Sequence, residues 1–353
     1  MENFTKNTKT PGIISDIPSV FGIIKNSPLK RFIYGMGNGA DKLIALLARY
    51  EIPFDGIVAS DEFVRGHSFH GIIVRKISDV EREFGKVCLI LAFGTNRIDV
   101  IDRLYKLKKT HELIVPDLPL YGNDEFSLEK ANESRALFDD TALFDSLINF
   151  KLSGDIEFLK SGYSDYCEIF KAAHPKPGAH FIDIGAYRGD TVKLFTEIVP
   201  DFGEITAFEP DFKTFKKLEA AFGETPKINL YNAAVWNRDT ELLFDTAGNR
   251  NSNVFTENGK STVKALCLDN LTSDARNLII KIDAEGAEKE VIEGAQNLIK
   301  NGAAVICAVY HRANDLFELP LLLKNLNSDY KFKLMRTNNI PGWDAFVVAE
   351  DRQ

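Results

Sequence analysis

The residues best suited to chemistry fall in four short segments, each directly after an apolar run that predicts a strand. A glycine-containing turn occupies residues 183–191, and the acidic residue Glu209 ends the next predicted strand. Residues 281–288 carry three carboxylates and a glycine, and His311 follows a fourth apolar run. Open α/β sheets bind ligands at the carboxyl ends of their parallel strands. We therefore expect the four segments to meet at one edge of a sheet.

The first two segments together predict a nucleoside-bearing cofactor. A glycine turn between a strand and a helix lets backbone amides approach a ligand, and the helix N-terminus adds a positive pole. Glu209, with Pro210 after it, lies about 20 residues beyond the turn, where an acid accepts hydrogen bonds from both ribose hydroxyls. Either feature alone has a plain structural explanation, so the prediction depends on their combination.

The other two segments offer acid–base groups. Asp283 and Glu285 precede the helix that the pattern predicts, whereas Glu288 is explained by the preference of acids for the first turn of a helix. The ordinary pKa of histidine lies near neutrality, which suits His311 to act as a general base. Asp315 follows within about one turn and is placed to orient the imidazole.

Hydrophobic periodicity predicts two α/β blocks that would position these groups. We expect an N-terminal lead-in over residues 1–30, a Rossmann-like nucleotide-binding-type domain over 31–119, a helical connector over 120–177 and a second α/β domain over 178–353. The last two predicted strands, 330–335 and 345–349, are close enough to form a hairpin that makes the final strand antiparallel. A single strand is expected over 228–235, followed by a β-like insertion over 242–269 whose polar run 249–253 would help to shape a pocket.

The first block has its own glycine-rich loop after a predicted strand. Gly35, Gly37 and Gly39 lie on this loop, and Asp61 follows about 20 residues later as a ribose-binding candidate. The motif fits a bound nucleotide or nucleotide-sugar. It fits equally a scaffold used for dimerisation or substrate delivery.

Composition narrows the class of protein. The formal net charge of -8 argues against a mainly electrostatic nucleic-acid binder. The four cysteines have neither zinc nor redox spacing, and we predict no metal site. No apolar run approaches the ~20 residues that a membrane-spanning helix needs. We expect a cytoplasmic protein with a small-molecule partner, and the sequence leaves open whether it forms a homo-oligomer.

Residues from about 134 to 349 resemble the FkbM family of S-adenosylmethionine-dependent methyltransferases. The resemblance is carried by residues 181–191, 207–211, 232–235, 281–288 and 309–311, together with Asp315, Leu316 and Pro320. Of the two Rossmann-like domains that the pattern predicts, it implies that the C-terminal one is a methyltransferase sheet with an antiparallel last strand. It also implies an O-methyltransferase that uses S-adenosylmethionine to modify a hydroxyl of a sugar, a nucleotide-sugar or a related polar metabolite.

The resemblance assigns roles by position. The glycine turn would wrap the methionine part of the cofactor, Asp183 and Asp190 would lie near its amino and carboxyl groups, and Glu209 would hold the ribose. The stretch from Asn232 to Val235 would border the adenine. The implied cofactor-binding residues are Asp183, Gly185, Ala186, Tyr187, Gly189, Asp190, Thr191, Glu209, Pro210, Asn232, Ala233 and Asp283. The catalytic candidates are His311, Asp283 and Glu285.

Two other classes of protein stay open at this point. An NAD-dependent oxidoreductase would use one or both glycine loops, although Asp183 and the residues around Asp283 argue against it. A non-catalytic cofactor-binding or scaffold subunit would bind the cofactor without transferring a methyl group. Within the methyltransferase interpretation, Glu285 or Asp283 could replace His311 as the base.

Overall fold

A computed structural model describes residues 19–117, 127–244 and 261–351, apart from the side chains of Leu128 and Phe244. The chain divides into two compact units, each assembled from three segments. By residue number, the first unit comprises 1–126, 141–163 and 337–343, and the second comprises 127–140, 164–336 and 344–353. The predicted domain limits stay a prediction, and the polar run 249–253 lies outside the described residues.

The first unit contains a six-stranded sheet in the order β3-β4-β2-β1-β5-β6. Its neighbouring strands are parallel except for β3 and β4, which are antiparallel. The central strands are buried on both faces, as the continuous apolar runs predict. The strands are β1 (Arg31–Tyr34), β2 (Gly56–Ala59), β3 (Ser68–Phe69), β4 (Ile72–Lys76), β5 (Cys88–Leu91) and β6 (Glu112–Ile114).

The second unit contains a seven-stranded sheet in the order β15-β16-β14-β13-β7-β8-β9, and a three-stranded sheet in the order β10-β12-β11. Strand β16 is antiparallel to both β14 and β15, which confirms the predicted antiparallel final strand. The strands are β7 (His180–Ile184), β8 (Ile205–Phe208), β9 (Ile228–Tyr231), β10 (Ala234–Val235), β11 (Thr240–Phe244), β12 (Ser261–Leu266), β13 (Leu278–Ile282), β14 (Ala304–Ala308), β15 (Lys331–Arg336) and β16 (Ala345–Glu350).

Helices cover the faces of the sheets and connect most of the parallel strands. They are α1 (Val20–Asn26), α2 (Asn38–Arg49), α3 (Ile77–Phe84), α4 (Ile98–Thr110), α5 (Leu128–Arg135), α6 (Ala142–Ser153), α7 (Tyr166–Lys171), α8 (Asp190–Ile198), α9 (Phe212–Phe222), α10 (Leu268–Leu271), α11 (Glu288–Gly294), α12 (Gln296–Lys300) and α13 (Asp315–Leu326). Within the described ranges, none of the helices is both long and apolar enough to cross a membrane.

The strand predicted over 228–235 is wrong as a single element. Strand β9 ends at Tyr231, and residues 234–235 pair instead with β12 in the small sheet. The break falls at Asn232, whose side-chain amide donates to the carbonyl oxygens of Glu209 at 2.9 Å and Pro210 at 3.1 Å. The side chain of Asn232 thus hydrogen-bonds to the neighbouring loop, and the backbone leaves the large sheet at this residue.

Pairing between parallel strands fixes the position of the candidate residues. Strand β7 lies between β8 and β13, with Asp183 opposite Ala207 on one side and Lys281 on the other. Strand β14 lies beyond β13, so its continuation into His311 leaves the same edge of the sheet. A buried stack of Phe181 and Phe195, with ring centroids 4.3 Å apart, holds α8 against β7. All four chemistry-bearing segments therefore begin at one edge.

Candidate active site

The glycine turn after β7 is held tightly by its neighbours. The amides of Gly185 and Ala186 both donate to the carbonyl oxygen of Phe208, at 3.1 and 3.0 Å. Gly185 has a φ of +76°, and a Cβ there would lie 2.0 Å from the carbonyl oxygen of Asp283. No other residue type fits such a close approach between the turn and the end of β13. Gly189, with a φ of +87°, ends the turn and is the N-cap residue of α8.

Glu209 lies at the end of β8, next to the turn. Its Oε2 accepts from the Tyr187 amide at 3.0 Å, and its Oε1 accepts from the Asp211 amide at 2.8 Å. Burial raises the pKa of Glu209 to about 7, although both amides favour the ionised form. The predicted ribose ligand is thus a fixed carboxylate that touches the glycine turn directly.

The two aspartates predicted to meet the ends of the cofactor have different surroundings. Asp190 is exposed at the first residue of α8. Asp183 has no exposed surface, accepts a hydrogen bond from the Thr191 hydroxyl and lies 3.2 Å from Lys281 Nζ. Asp183 and Thr191 therefore lie beneath the turn, whereas Asp190 is open to a ligand.

Lys281 is a buried cation that the sequence analysis did not single out. Its Nζ donates to the carbonyl oxygen of Gly185 at 3.0 Å and lies 3.7 Å from Asp283 Oδ2. Burial opposes its charge, but the carboxylates of Asp183 and Asp283 outweigh burial and raise the pKa of Lys281 above its usual range. The available signal was a lone lysine inside the apolar run of β13, since lysine is rarely buried unless it is paired.

His311 lies among three carboxylates. Its Nδ1 donates to Glu288 Oε1 at 2.8 Å, while its Nε2 lies 3.6 Å from Asp283 Oδ1 and 3.7 Å from Glu285 Oε2. Glu288 is therefore a buried partner of the histidine and more than a charge at a helix N-terminus. Asp315, predicted to orient His311, accepts instead from the Arg312 amide at 2.7 Å.

Within this cluster, the local charges and burial give the imidazole of His311 and the carboxyl of Glu285 different pKa values. Burial disfavours the imidazolium, but the carboxylate of Glu288, followed by those of Asp283 and Glu285, raises the pKa of His311 to about 10. Partial burial raises the pKa of Glu285 to about 7. In the free protein at neutral pH, His311 is consequently protonated and Glu285 titrates.

The same cluster has the spacing of a cation site. Asp283, Glu288 and His311 bring ligand atoms within 4.8 Å of one another, and no other such group occurs among the described residues. Glu288 Oε1 also accepts from the amides of Ala284 at 2.8 Å and Gly286 at 3.3 Å. Hydrogen bonds within the protein thus account for this arrangement without an ion, and the absence of a metal stays a prediction.

Two tyrosines that sequence reasoning did not select border the cluster. The Tyr310 hydroxyl donates to Asp283 Oδ1 at 3.4 Å, and its ring lies 4.1 Å from that of His311. The rings of Tyr310 and Tyr166 lie 6.2 and 5.8 Å from the ring of Phe346. Tyr166 comes from α7, within the stretch predicted as a connector, so its sequence position gave no sign of the site.

The candidate loop of the first unit lies between β1 and α2. A Cβ on Gly39 would lie 2.0 Å from the carbonyl oxygen of Ala92, so this glycine permits close packing of α2 against the end of β5. Gly35 and Gly37 have φ values of +120° and +91°. Asp61 follows β2 and accepts from the Ser78 amide at 3.2 Å. The second nucleotide site stays a prediction.

The sheet order, the antiparallel final strand and the glycine turn beside Glu209 define the second unit as a Rossmann-like methyltransferase fold. Residues 183–333 match the family model described as the methyltransferase FkbM domain. This stretch of the chain is therefore similar to the methyltransferase domain of the FkbM family.

One solved structure supports the fold of the chain. A methyltransferase FkbM from Methylobacillus flagellatus KT is 15% identical with a TM-score of 0.69, and the match covers 96% of this chain and 94% of that one. An rRNA methylase from Streptococcus thermophilus is 12% identical with a TM-score of 0.35, covering 53% of this chain and 95% of its own. A precorrin-6y C5,15-methyltransferase from Geobacter metallireducens GS-15 is 14% identical with a TM-score of 0.34, covering 52% and 86%. No curated protein matches the chain.

The tight turn generates a prediction about Gly185. Gly185→Ala should lower the free energy of unfolding by at least about 2 kcal/mol more than Gly178→Ala does. Both glycines have nearly the same φ, +76° and +74°, but a Cβ on Gly178 would meet nothing within 4 Å. Chemical denaturation of the two variants therefore separates backbone strain from the collision with Asp283. Equal losses of stability would contradict the close approach described here.

Proposed function

We propose that the protein is an S-adenosylmethionine-dependent O-methyltransferase that modifies a hydroxyl of a sugar, a nucleotide-sugar or a related polar metabolite. The observation that carries the proposal is the Glu209 carboxylate, fixed by amides of Tyr187 and Asp211 beside the glycine turn. The acid–imidazole cluster of His311 opens at the same edge of the sheet. A cofactor bound at the turn would thus face groups that can accept or donate a proton.

The residues present fit this cofactor. Each oxygen of Glu209 receives one amide hydrogen bond, and a carboxylate oxygen has a second lone pair with which to accept a ribose hydroxyl. Asp190 is exposed and could accept from the ammonium group of the cofactor, and Asn232 would border the adenine. When bound, the cofactor supplies a methyl group on a positively charged sulfur, which is the electrophile.

We assign proton removal to Glu285. Methyl transfer to oxygen needs an aligned acceptor, little water and a group that takes the hydroxyl proton. The protonated imidazole of His311 has no free lone pair for that proton, whereas the pKa of Glu285 is raised to about 7 and its side chain is 40% exposed. Glu288 holds His311 Nδ1, so the Nε2–H points toward Asp283 and Glu285 and can orient them.

Cofactor binding should depend on Glu209 and on pH. Calorimetric titration of S-adenosylhomocysteine should give micromolar affinity, about -8 kcal/mol, in the wild type and no binding in Glu209→Ala. Because the ionised carboxyl is the better acceptor and its pKa lies at about 7, affinity should weaken as pH falls below 7, by up to about tenfold per pH unit. Above pH 7 it should stay level.

The matched control is Glu209→Gln, which keeps the shape of the side chain and removes its titration. Its weaker binding should not change between pH 6 and pH 8. A wild type that binds no S-adenosylhomocysteine at any pH would refute the proposed cofactor. Titration with NAD would then test the oxidoreductase alternative, and failure of both would favour a scaffold.

The two candidate bases can be separated once an acceptor has been found by screening sugars and nucleotide-sugars. Glu285→Gln should lower kcat by about 100-fold or more. The rise of kcat through about pH 7 should disappear in this variant, while affinity for S-adenosylhomocysteine stays within about twofold of wild type. His311→Ala should also lower kcat, but its pH profile should keep a rise assignable to Glu285.

His174→Ala serves as the control, because His174 pairs with Glu350 at 2.7 Å, away from this cluster. Full turnover in Glu285→Gln, combined with loss of turnover in His311→Ala, would return the role of base to His311. Full turnover in both variants would remove both residues from the mechanism.

A further inference from the structure

We propose that Lys281 is a positioning residue that holds the glycine turn in the conformation that binds the cofactor. The lysine ties the backbone of the turn to carboxylates on two adjacent strands. This inference rests on the proposed function, since it concerns the same cofactor site, but it assigns a task to a residue outside the predicted ligand set.

The contacts of Lys281 join two segments of chain, residues 183–185 and residues 281–283. Its Nζ lies 3.2 Å from Asp183 Oδ1 on β7 and 3.7 Å from Asp283 Oδ2 beyond β13. It also donates to the carbonyl oxygen of Gly185 at 3.0 Å and to that of Ile184 at 3.5 Å. Lys281 is only 3% exposed, so solvent does not compete for these partners.

The hydrogen bond from Lys281 to the carbonyl oxygen of Gly185 indicates a role other than charge neutralisation. The amide of Gly185 is fixed by the Phe208 carbonyl oxygen, and its own carbonyl oxygen is fixed by Lys281. Both peptide groups of a residue with a φ of +76° are thereby held. Two residues later, the Tyr187 amide donates to Glu209. Lys281 is thus linked through one short turn to the carboxylate proposed to bind the ribose.

A purely structural role for Lys281 predicts something different. A buried ion pair can often be replaced by apolar groups with little loss of stability, provided that both charges are removed together. If Lys281 only neutralises Asp183, it becomes dispensable once position 183 is uncharged. If it positions the turn through the Gly185 carbonyl oxygen, it stays necessary for binding.

Four proteins test this distinction: the wild type, Asp183→Asn, Lys281→Met and the double variant Asp183→Asn/Lys281→Met. The measurements are the midpoint of thermal unfolding and the Kd for S-adenosylhomocysteine. Lys281→Met should unfold at a lower temperature, because it leaves a buried carboxylate unpaired, and the double variant should recover most of that loss. We expect the double variant to bind S-adenosylhomocysteine at least tenfold more weakly than Asp183→Asn.

A double variant that binds within twofold of Asp183→Asn would overturn the proposal, and so would one that does not fold. If Asp183→Asn itself abolishes binding, hydrogen exchange of the amides at residues 185–187 decides. Faster exchange in the double variant than in Asp183→Asn supports positioning, and equal exchange overturns it.

Failure of the wild type to bind S-adenosylhomocysteine would instead count against the proposed function. The hydrogen-exchange comparison would still decide whether Lys281 holds the turn. The two failures can therefore be told apart.

Discussion

The pairing of one buried ammonium group with two carboxylates underlies the geometry of the methyltransferase edge. Lys281 and Asp183 are opposite each other on parallel strands, and the charge between them is satisfied only when β7 and β13 are in register. A slip of one residue in either strand would turn that strand's charged side chain to the other face of the sheet, away from its partner. The same lysine reaches Gly185, so strand register and the shape of the turn are specified together. Burying an unpaired charge costs several kcal/mol, which penalises every other arrangement.

Around this pair, the edge divides into a proposed binding side and a proposed chemical side. On the binding side, the amides of Tyr187 in the turn and of Asp211 just before α9 fix Glu209. On the chemical side, Glu288 fixes His311, which faces Asp283 and Glu285. In both places a carboxyl group is kept near its titration point by burial, while backbone amides or an imidazole hold it still. Such groups are costly to the fold and are typical of functional sites, although structural ion pairs can also produce them.

Much of this edge could be predicted because it depends on local pattern. Apolar runs that end in glycine or an acidic residue predicted the strands and their carboxyl ends. The short spacing between the last two predicted strands indicated the antiparallel final hairpin. Lys281 and Glu288 were missed because their roles depend on which strands become neighbours. Strand β13 lies beside β7 in the sheet although five strands separate them in the sequence. Glu288 contacts His311 only because β14 is the neighbour of β13 in the sheet. The break at Asn232 was missed for a similar reason, since its partners lie on another loop.

The long-range contact between Lys281 and Gly185 has a consequence for how the protein folds. Lys281 and Gly185 are separated by 96 positions in sequence, so their contact forms only after a long stretch of chain has folded between them. Loops of that length close slowly, and contacts of high sequence separation slow folding. A ligand that recognises the completed turn therefore has nothing to bind in a partly folded chain. It would stabilise only the native protein, by about 2.7 kcal/mol at a hundredfold excess over its Kd. In a cell, the abundance of such a protein would follow the supply of that ligand.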